Sequence, residues 1–157
     1  MKKERAIKRF TEHILGRTVE IHKSPYDMSF NFGMDVFGKR PALLIPKNLD
    51  CKFSKADKKF RKNFISRCSL ARGFSNATIS VLHECGHWET RSIMDFDAYM
   101  DMKRKVHNME DYMNIPWEHL ATDWAICWLA SPKNRKVAKQ FEREYFGYGK
   151  VKASIQY

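Results

Sequence analysis

The stretch ISVLHECGHWET, residues 79 to 90, constrains the fold of this 157-residue chain more than any other segment. It contains the pattern H-E-x-x-H, formed by His83, Glu84 and His87. We predict a helix over roughly residues 76 to 90. Helical residues four positions apart lie on one face, about 6 Å apart, so the two imidazoles can reach one metal ion. Glu84 is rotated about 100° from His83 and is placed to reach a water molecule near that ion.

This arrangement indicates a zinc site with hydrolytic chemistry. Imidazole nitrogens are common zinc ligands, and zinc lowers the pKa of a bound water to about 7. A carboxylate beside that water can act as the general base. The pattern therefore predicts His83 and His87 as metal ligands and Glu84 as the catalytic residue. The alternative is an ordinary helix in which both histidines are core or surface residues.

A catalytic zinc also needs a third protein ligand. A further histidine six residues after His87 is absent, because that position is Ile93. His107, in KVHNME, is one candidate, and Glu118 and His119, in PWEHLATDWAICWLASP, are two others. An acid such as Glu118 in a first helical turn is also favoured by the helix dipole alone, so spacing does not decide among them.

Two further features concern the element that carries the third ligand. Gly86 lies in mid-helix, where glycine is less stable than alanine by about 1 kcal/mol, and it predicts close approach of another element. The small residues Ala121 and Ala125 beside Glu118 would allow that helix to approach closely. Asp123 is predicted to hydrogen-bond a ligand histidine.

The remaining pattern predicts one α+β domain over residues 1–157, with a small, mostly antiparallel sheet packed on helices. Strands are expected in TVEIHKS, in YDMSFNFGM (26–34) and in PALLIP, whose prolines favour a sheet edge or strand ends. Helices are expected over 3–15, over a basic segment from Ser54 to Gly73 with a capping box at Ser54 and Asp57, from Pro116 to about 130, and at the C-terminus over about 132–146. Residues 91–114 are predicted to be a partly helical connection.

Composition bounds the partners and the compartment. The formal net charge is +11, which favours an acidic partner such as nucleic acid or an acidic protein. No apolar run is long enough for a membrane span, so no membrane partner is expected, and the N-terminus lacks the features of a signal peptide. The four cysteines form no CxxC pair, which favours a reducing cytoplasm.

Beyond these patterns, the chain resembles the ImmA/IrrE family of zinc metallopeptidases over about residues 40–132. The resemblance rests on TISVLHECGHWE and on a second motif, E-x-x-A-x-x-aromatic-A, followed by leucine and proline. It implies a zincin-like fold, zinc bound by His83, His87 and Glu118, and Glu84 as the base. It also implies a cytoplasmic protein of phage or mobile-element type that cleaves a DNA-associated regulator. Thr122 stands where the family often has asparagine.

Two classes of function follow. The first is a zinc metallopeptidase whose substrate pairs with an edge strand, for which PALLIP is the candidate, and whose oxyanion is stabilised by a residue such as Tyr112 or His107. The second is a basic nucleic-acid-binding protein, similar to anti-restriction proteins, in which zinc is structural or secondary. The sequence does not predict the oligomeric state.

Overall fold

The computed structural model describes residues 2–25, 32–50 and 53–147. Within these ranges the chain is α+β, with seven α-helices and a three-stranded sheet. The elements in chain order are α1 (Lys2–Leu15), β1 (Glu20–Lys23), β2 (Gly33–Asp35), β3 (Ala42–Ile45), α2 (Lys55–Arg67), α3 (Asn76–Glu89), α4 (Phe96–Arg104), α5 (Met109–Met113), α6 (Pro116–Leu129) and α7 (Pro132–Phe146). Short 3₁₀ turns at Ser69–Gly73 and Arg91–Ile93 flank α3.

The helix ends follow local sequence signals. Ser54 and Asp57 form the predicted capping box of α2, each accepting a backbone hydrogen bond from the other residue. Pro116 and Pro132 occupy the first turns of α6 and α7. Gly16 has φ +65°, a conformation that suits glycine just after a helix, and it ends α1.

The basic helix ends earlier than predicted. Its α-helical part stops at Arg67, Cys68 is extended, and residues up to Gly73 form a 3₁₀ turn. The buried Arg61 side chain donates hydrogen bonds to the backbone oxygens of Arg72 and Phe74, which holds the chain after the turn against the helix. The connection 91–114 is partly helical, as predicted, and contains both α4 and α5.

The sheet corrects two predictions. Its order is β1-β3-β2, with β1 parallel and β2 antiparallel to β3, so it is mixed rather than mostly antiparallel. The PALLIP strand, β3, is central and not an edge. Pro41 and Pro46 lie just outside Ala42–Ile45, so they remove no hydrogen-bond donor from the strand. Residues 26–31 of the predicted strand YDMSFNFGM lie outside the described residues, and its end overlaps β2.

Helix α3 is the centre of the molecule. Eleven of its fourteen residues are buried, and it contacts α1, α2, α6, α7 and β2. Leu43 and Ile45 of β3 and Ile79 and Leu82 of α3 belong to one apolar core. The N-terminus of α3 is held by Glu142 of α7, which accepts hydrogen bonds from the Ser75 backbone and the Thr78 hydroxyl. The H-E-x-x-H pattern is therefore fixed in the interior.

No helix in the described ranges combines the length and the apolar character that crossing a membrane requires. Cys68, Cys85 and Cys127 are free thiols, whereas Cys51 lies outside the described residues.

Candidate metal centre

The structure brings His83, His87 and Glu118 together at the contact between α3 and α6. The Nε2 atoms of His83 and His87 lie 2.9 and 3.0 Å from the same Glu118 oxygen, Oε1. All three side chains are buried. Both imidazoles thus present the same nitrogen to one point, where a carboxylate also projects.

This convergence depends on Gly86. A Cβ at position 86 would lie 2.3 Å from the backbone oxygen of Ala121, so no larger residue fits without moving α6. The predicted close approach at Gly86 is confirmed, and the approaching element is the helix that carries Glu118. The face of α6 that packs on α3 is small and polar, with Ala121, Thr122 and Ala125 fully buried.

Glu84 lies close to both histidines, and its side chain lines a pocket. The ligand atoms of His83, Glu84 and His87 lie within 4.8 Å of one another, and this group could hold a metal ion. Glu84 is half-buried and lines a pocket of about 110 Å³ together with His83 and Tyr112. Glu118 instead has both oxygens engaged by side chains. The geometry therefore suits Glu118 as a ligand and Glu84 as a group open to a reactant.

The pKa values follow from burial and from these contacts. Burial raises the pKa of Glu84 to about 8, although nearby His87 opposes the shift. Burial alone would raise the pKa of Glu118, but hydrogen bonds with His83 and His87 outweigh it and hold that pKa below its usual range. Burial lowers the pKa of His83. An ionised Glu118 and a neutral His83 are the protonation states in which these side chains bind metals.

His87 differs from His83 in its surroundings. Burial opposes its protonation, but the hydrogen bond to Glu118 and the charge of Glu84 outweigh burial and raise its pKa. Its Nδ1 atom is buried without a hydrogen-bond partner among the described residues. The ring is held by packing, with the Trp117 ring centroid 4.2 Å away.

Thr122, not Asp123, orients a candidate ligand. His83 Nδ1 lies 3.0 Å from Thr122 Oγ1, at hydrogen-bond distance. The Asp123 side chain is about half exposed and pairs with Arg67 and His119. The predicted contact of Asp123 with a ligand histidine is therefore wrong. Thr122 is one helical turn after Glu118 and shares its face, whereas Asp123 is rotated away from it.

The two rival third ligands lie elsewhere. His107 is exposed between α4 and α5, and its backbone N–H donates to Asp111. The Nδ1 atom of His119 lies 3.2 Å from Asp123 Oδ2, and its side chain is 46% exposed. Neither reaches the cluster, so Glu118 is the candidate that the fold places beside both histidines.

Two tyrosines complete the cluster. The Tyr99 hydroxyl of α4 donates a 2.8 Å hydrogen bond to Glu118 Oε2, and Tyr112 of α5 is hydrogen-bonded to Tyr99. Burial, with the Glu118 charge second, raises the pKa of both phenols. Sequence reasoning missed Tyr99, because nothing in the spacing of the connection singles it out. It named Tyr112, which does line the pocket with Glu84.

The donor set fits a zinc ion. Two imidazole nitrogens and one carboxylate oxygen are a common set for zinc sites that keep a position open for water or substrate. Each of His83 and Glu118 also has a hydrogen-bond partner that fixes its orientation. Comparisons of the chain with protein-family models, with curated proteins and with solved structures find no match.

Proposed function

We propose that the protein is a zinc-dependent peptidase. The observation that carries the proposal is the convergence of His83 Nε2 and His87 Nε2 on one oxygen of Glu118, 2.9 and 3.0 Å away. Three donor atoms that converge on one point in this way meet the geometric requirement for three protein ligands of one metal ion. Glu84 beside it supplies the base that hydrolysis requires.

In this function His83, His87 and Glu118 hold the ion. A bound zinc supplies a Lewis acid, which polarises a carbonyl and acidifies a water molecule. Glu84 takes a proton from the attacking water as the new C–O bond forms. It then gives that proton to the amine nitrogen as the peptide C–N bond breaks. Tyr112, which lines the same pocket as Glu84, is our candidate to donate a hydrogen bond to the oxyanion.

Strand β2 provides a place for an extended substrate. It pairs with β3 on one side, contacts α3, and pairs with no other strand in the described residues. An extended peptide can add to such an edge through backbone hydrogen bonds. Strand β2 therefore takes the place of β3 as the candidate edge strand for the substrate, because β3 has neighbouring strands on both sides. The substrate class follows the family resemblance and is a protein, with a DNA-associated regulator as the specific proposal.

Metal content gives the first test. Elemental analysis of the purified wild type should find one zinc per chain, and His87→Ala and Glu118→Ala should lose most of it. Glu110→Ala, which removes an exposed acid, is the control and should keep the metal. A wild type that takes up no zinc even after reconstitution would contradict the proposal.

Catalysis is tested separately at Glu84. Glu84→Gln should keep zinc but lose cleavage of a proteome-derived peptide mixture, measured by mass spectrometry. Glu89→Gln, an exposed acid on the same helix, should cleave normally. Cleavage by zinc-loaded Glu84→Gln at the wild-type rate would rule out the proposed base.

A further inference from the structure

A second hollow lies beside the pocket that contains Glu84. It has a volume of about 400 Å³ and lies between α2 and α5, with Lys59, Lys62 and Asn63 on the α2 wall. Both hollows are lined by Met109, and α2 contributes residues to each. We call this second hollow the α2–α5 groove. A peptide chain bound at Glu84 can therefore extend along α2 into the groove.

The α2 wall of the groove is positively charged. Lys59 and Lys62 are exposed, and neither forms a salt bridge within the described part of the chain. Lys55 and Lys58 are also exposed and lie one helical turn from them, a spacing at which like charges repel. Asp57, the only acid of α2, is turned inward in the capping box. An external anion would relieve this repulsion.

The wall also holds an unused hydrogen-bond acceptor. The Oδ1 atom of Asn63 is buried and has no partner among the described residues. Buried polar atoms are normally hydrogen-bonded, so this acceptor leaves the α2 wall polar as well as charged. The groove therefore offers positive charge and a polar wall, which suit a peptide segment that carries an acidic side chain.

We propose that Lys59 and Lys62 bind an acidic side chain of the protein substrate. This inference rests on the proposed peptidase function and narrows its substrate class. Lys59 and Lys62 line the α2–α5 groove and not the pocket that contains Glu84, where the scissile bond would lie. The acidic residue must therefore lie away from that bond, on the side of the α2–α5 groove. Glu110 lines the same groove and would repel any continuous run of negative charges, so a single acidic side chain beside the two lysines fits the groove better than a nucleic-acid backbone does.

Binding tests the groove without any need for turnover. The 157-residue Glu84→Gln chain is titrated against a fluorescein-labelled peptide of eight residues, two adjacent glutamates among alanines, followed by fluorescence anisotropy. Adding Lys59→Glu and Lys62→Glu should weaken binding about tenfold or more, because two attractions become repulsions. The matched control is Lys133→Glu with Lys136→Glu on α7, which has the same spacing and charge change and should bind nearly as the parent does.

Two binding results would overturn the proposal. Equal weakening in both double variants would mean that overall charge, not the groove, attracts the peptide. The second result uses a single-stranded oligonucleotide of about 20 deoxythymidines. If it displaces the peptide, and if it loses affinity with Lys59→Glu and Lys62→Glu but not with the α7 control, the lysines would be assigned to nucleic acid instead.

Cleavage-site sequencing separates this inference from the function on which it rests. The wild type should cleave a peptide mixture with Asp or Glu enriched at one fixed position on one side of the cut. Lys59→Glu with Lys62→Glu, made in the wild-type background, should lose this enrichment, and Lys133→Glu with Lys136→Glu in the same background should keep it. Cleavage without the enrichment would overturn the acidic site alone. Groove-specific peptide binding without any cleavage would support the acidic site and contradict the peptidase.

Discussion

Two helix pairs in this protein pack in opposite ways. Helices α1 and α7 meet through large apolar side chains, with the Phe10 and Phe141 rings stacked 4.4 Å apart. Helices α3 and α6 meet through Gly86 and Ala121, and between them lie the polar side chains of the candidate metal centre.

The difference separates stability from chemistry. Burying aromatic surface removes apolar area from water and stabilises the fold directly. Burying imidazoles and a carboxylate is unfavourable unless each polar atom finds a partner or a metal ion. The α1–α7 contact therefore should contribute mainly to folding, whereas the α3–α6 contact should contribute mainly to metal binding.

The largest effect is expected at the α1–α7 contact. Phe141 is buried, and Phe141→Ala should lower the free energy of unfolding by about 3–5 kcal/mol, because it leaves a cavity. Zinc stoichiometry of the folded protein should not change. Urea denaturation and elemental analysis measure the two quantities. If Phe141→Ala does not fold, Phe141→Leu is the milder variant. Loss of zinc from folded Phe141→Leu would contradict the idea that the α1–α7 contact contributes to folding and not to metal binding.

The next effect concerns the α3–α6 contact. Gly86→Ala should destabilise the protein by about 1–3 kcal/mol and weaken zinc binding, because α6 must move. In an unconstrained helix the same change would be stabilising. Gly73→Ala is the control, since its Cβ would meet only the Lys139 side chain at 3.6 Å. A stabilised Gly86→Ala protein with normal zinc affinity would show that the helices do not need this closeness.

A smaller effect is expected at the hydrogen bond behind His83. Thr122→Val keeps the side-chain shape but removes the hydroxyl, and it should weaken zinc binding by about 10–100-fold. Competition with a zinc chelator measures this affinity. Asp123→Asn should leave the affinity unchanged, and the reverse ranking of the two variants would restore the original prediction for Asp123.

The smallest effect lies at the rim of the α1–α7 contact. Arg9 and Glu144 form a 3.3 Å ion pair in which the Arg9 side chain is 69% exposed. A double-mutant cycle with Arg9→Ala and Glu144→Ala should give a coupling of about 0.2–1 kcal/mol that decreases with added salt. A larger, salt-insensitive coupling would mean that charge as well as aromatic packing holds this pair.

Much of the helical structure could be predicted from the sequence. The capping box at Ser54 and the prolines at 116 and 132 act within one or two turns, so they can be read from neighbouring residues. The close approach at Gly86 was also predictable, because a glycine in mid-helix lowers helix stability and therefore indicates that another element approaches it.

Features that depend on distant residues were predicted less well. The apolar run of β3 is the same whether the strand is central or at an edge, and only its pairing with both β1 and β2 decides. The large apolar residues of α6, Trp117, Leu120, Trp124 and Trp128, form a stripe at helical spacing that a sequence pattern would assign to the core. The structure leaves this stripe half-buried, with Leu120 37% exposed, because the smaller residues beside it pack against α3.

By itself the sequence determined that His83 and His87 share one helical face and that Glu84 is offset from them, because helical spacing is set by the backbone alone. Only the tertiary structure decided which distant side chain meets them. The rotation of α6 about its axis and its depth against Gly86 bring Glu118 and Thr122 inward and leave His119 and Asp123 outside. That rotation arises from packing across the whole core, which no local pattern records.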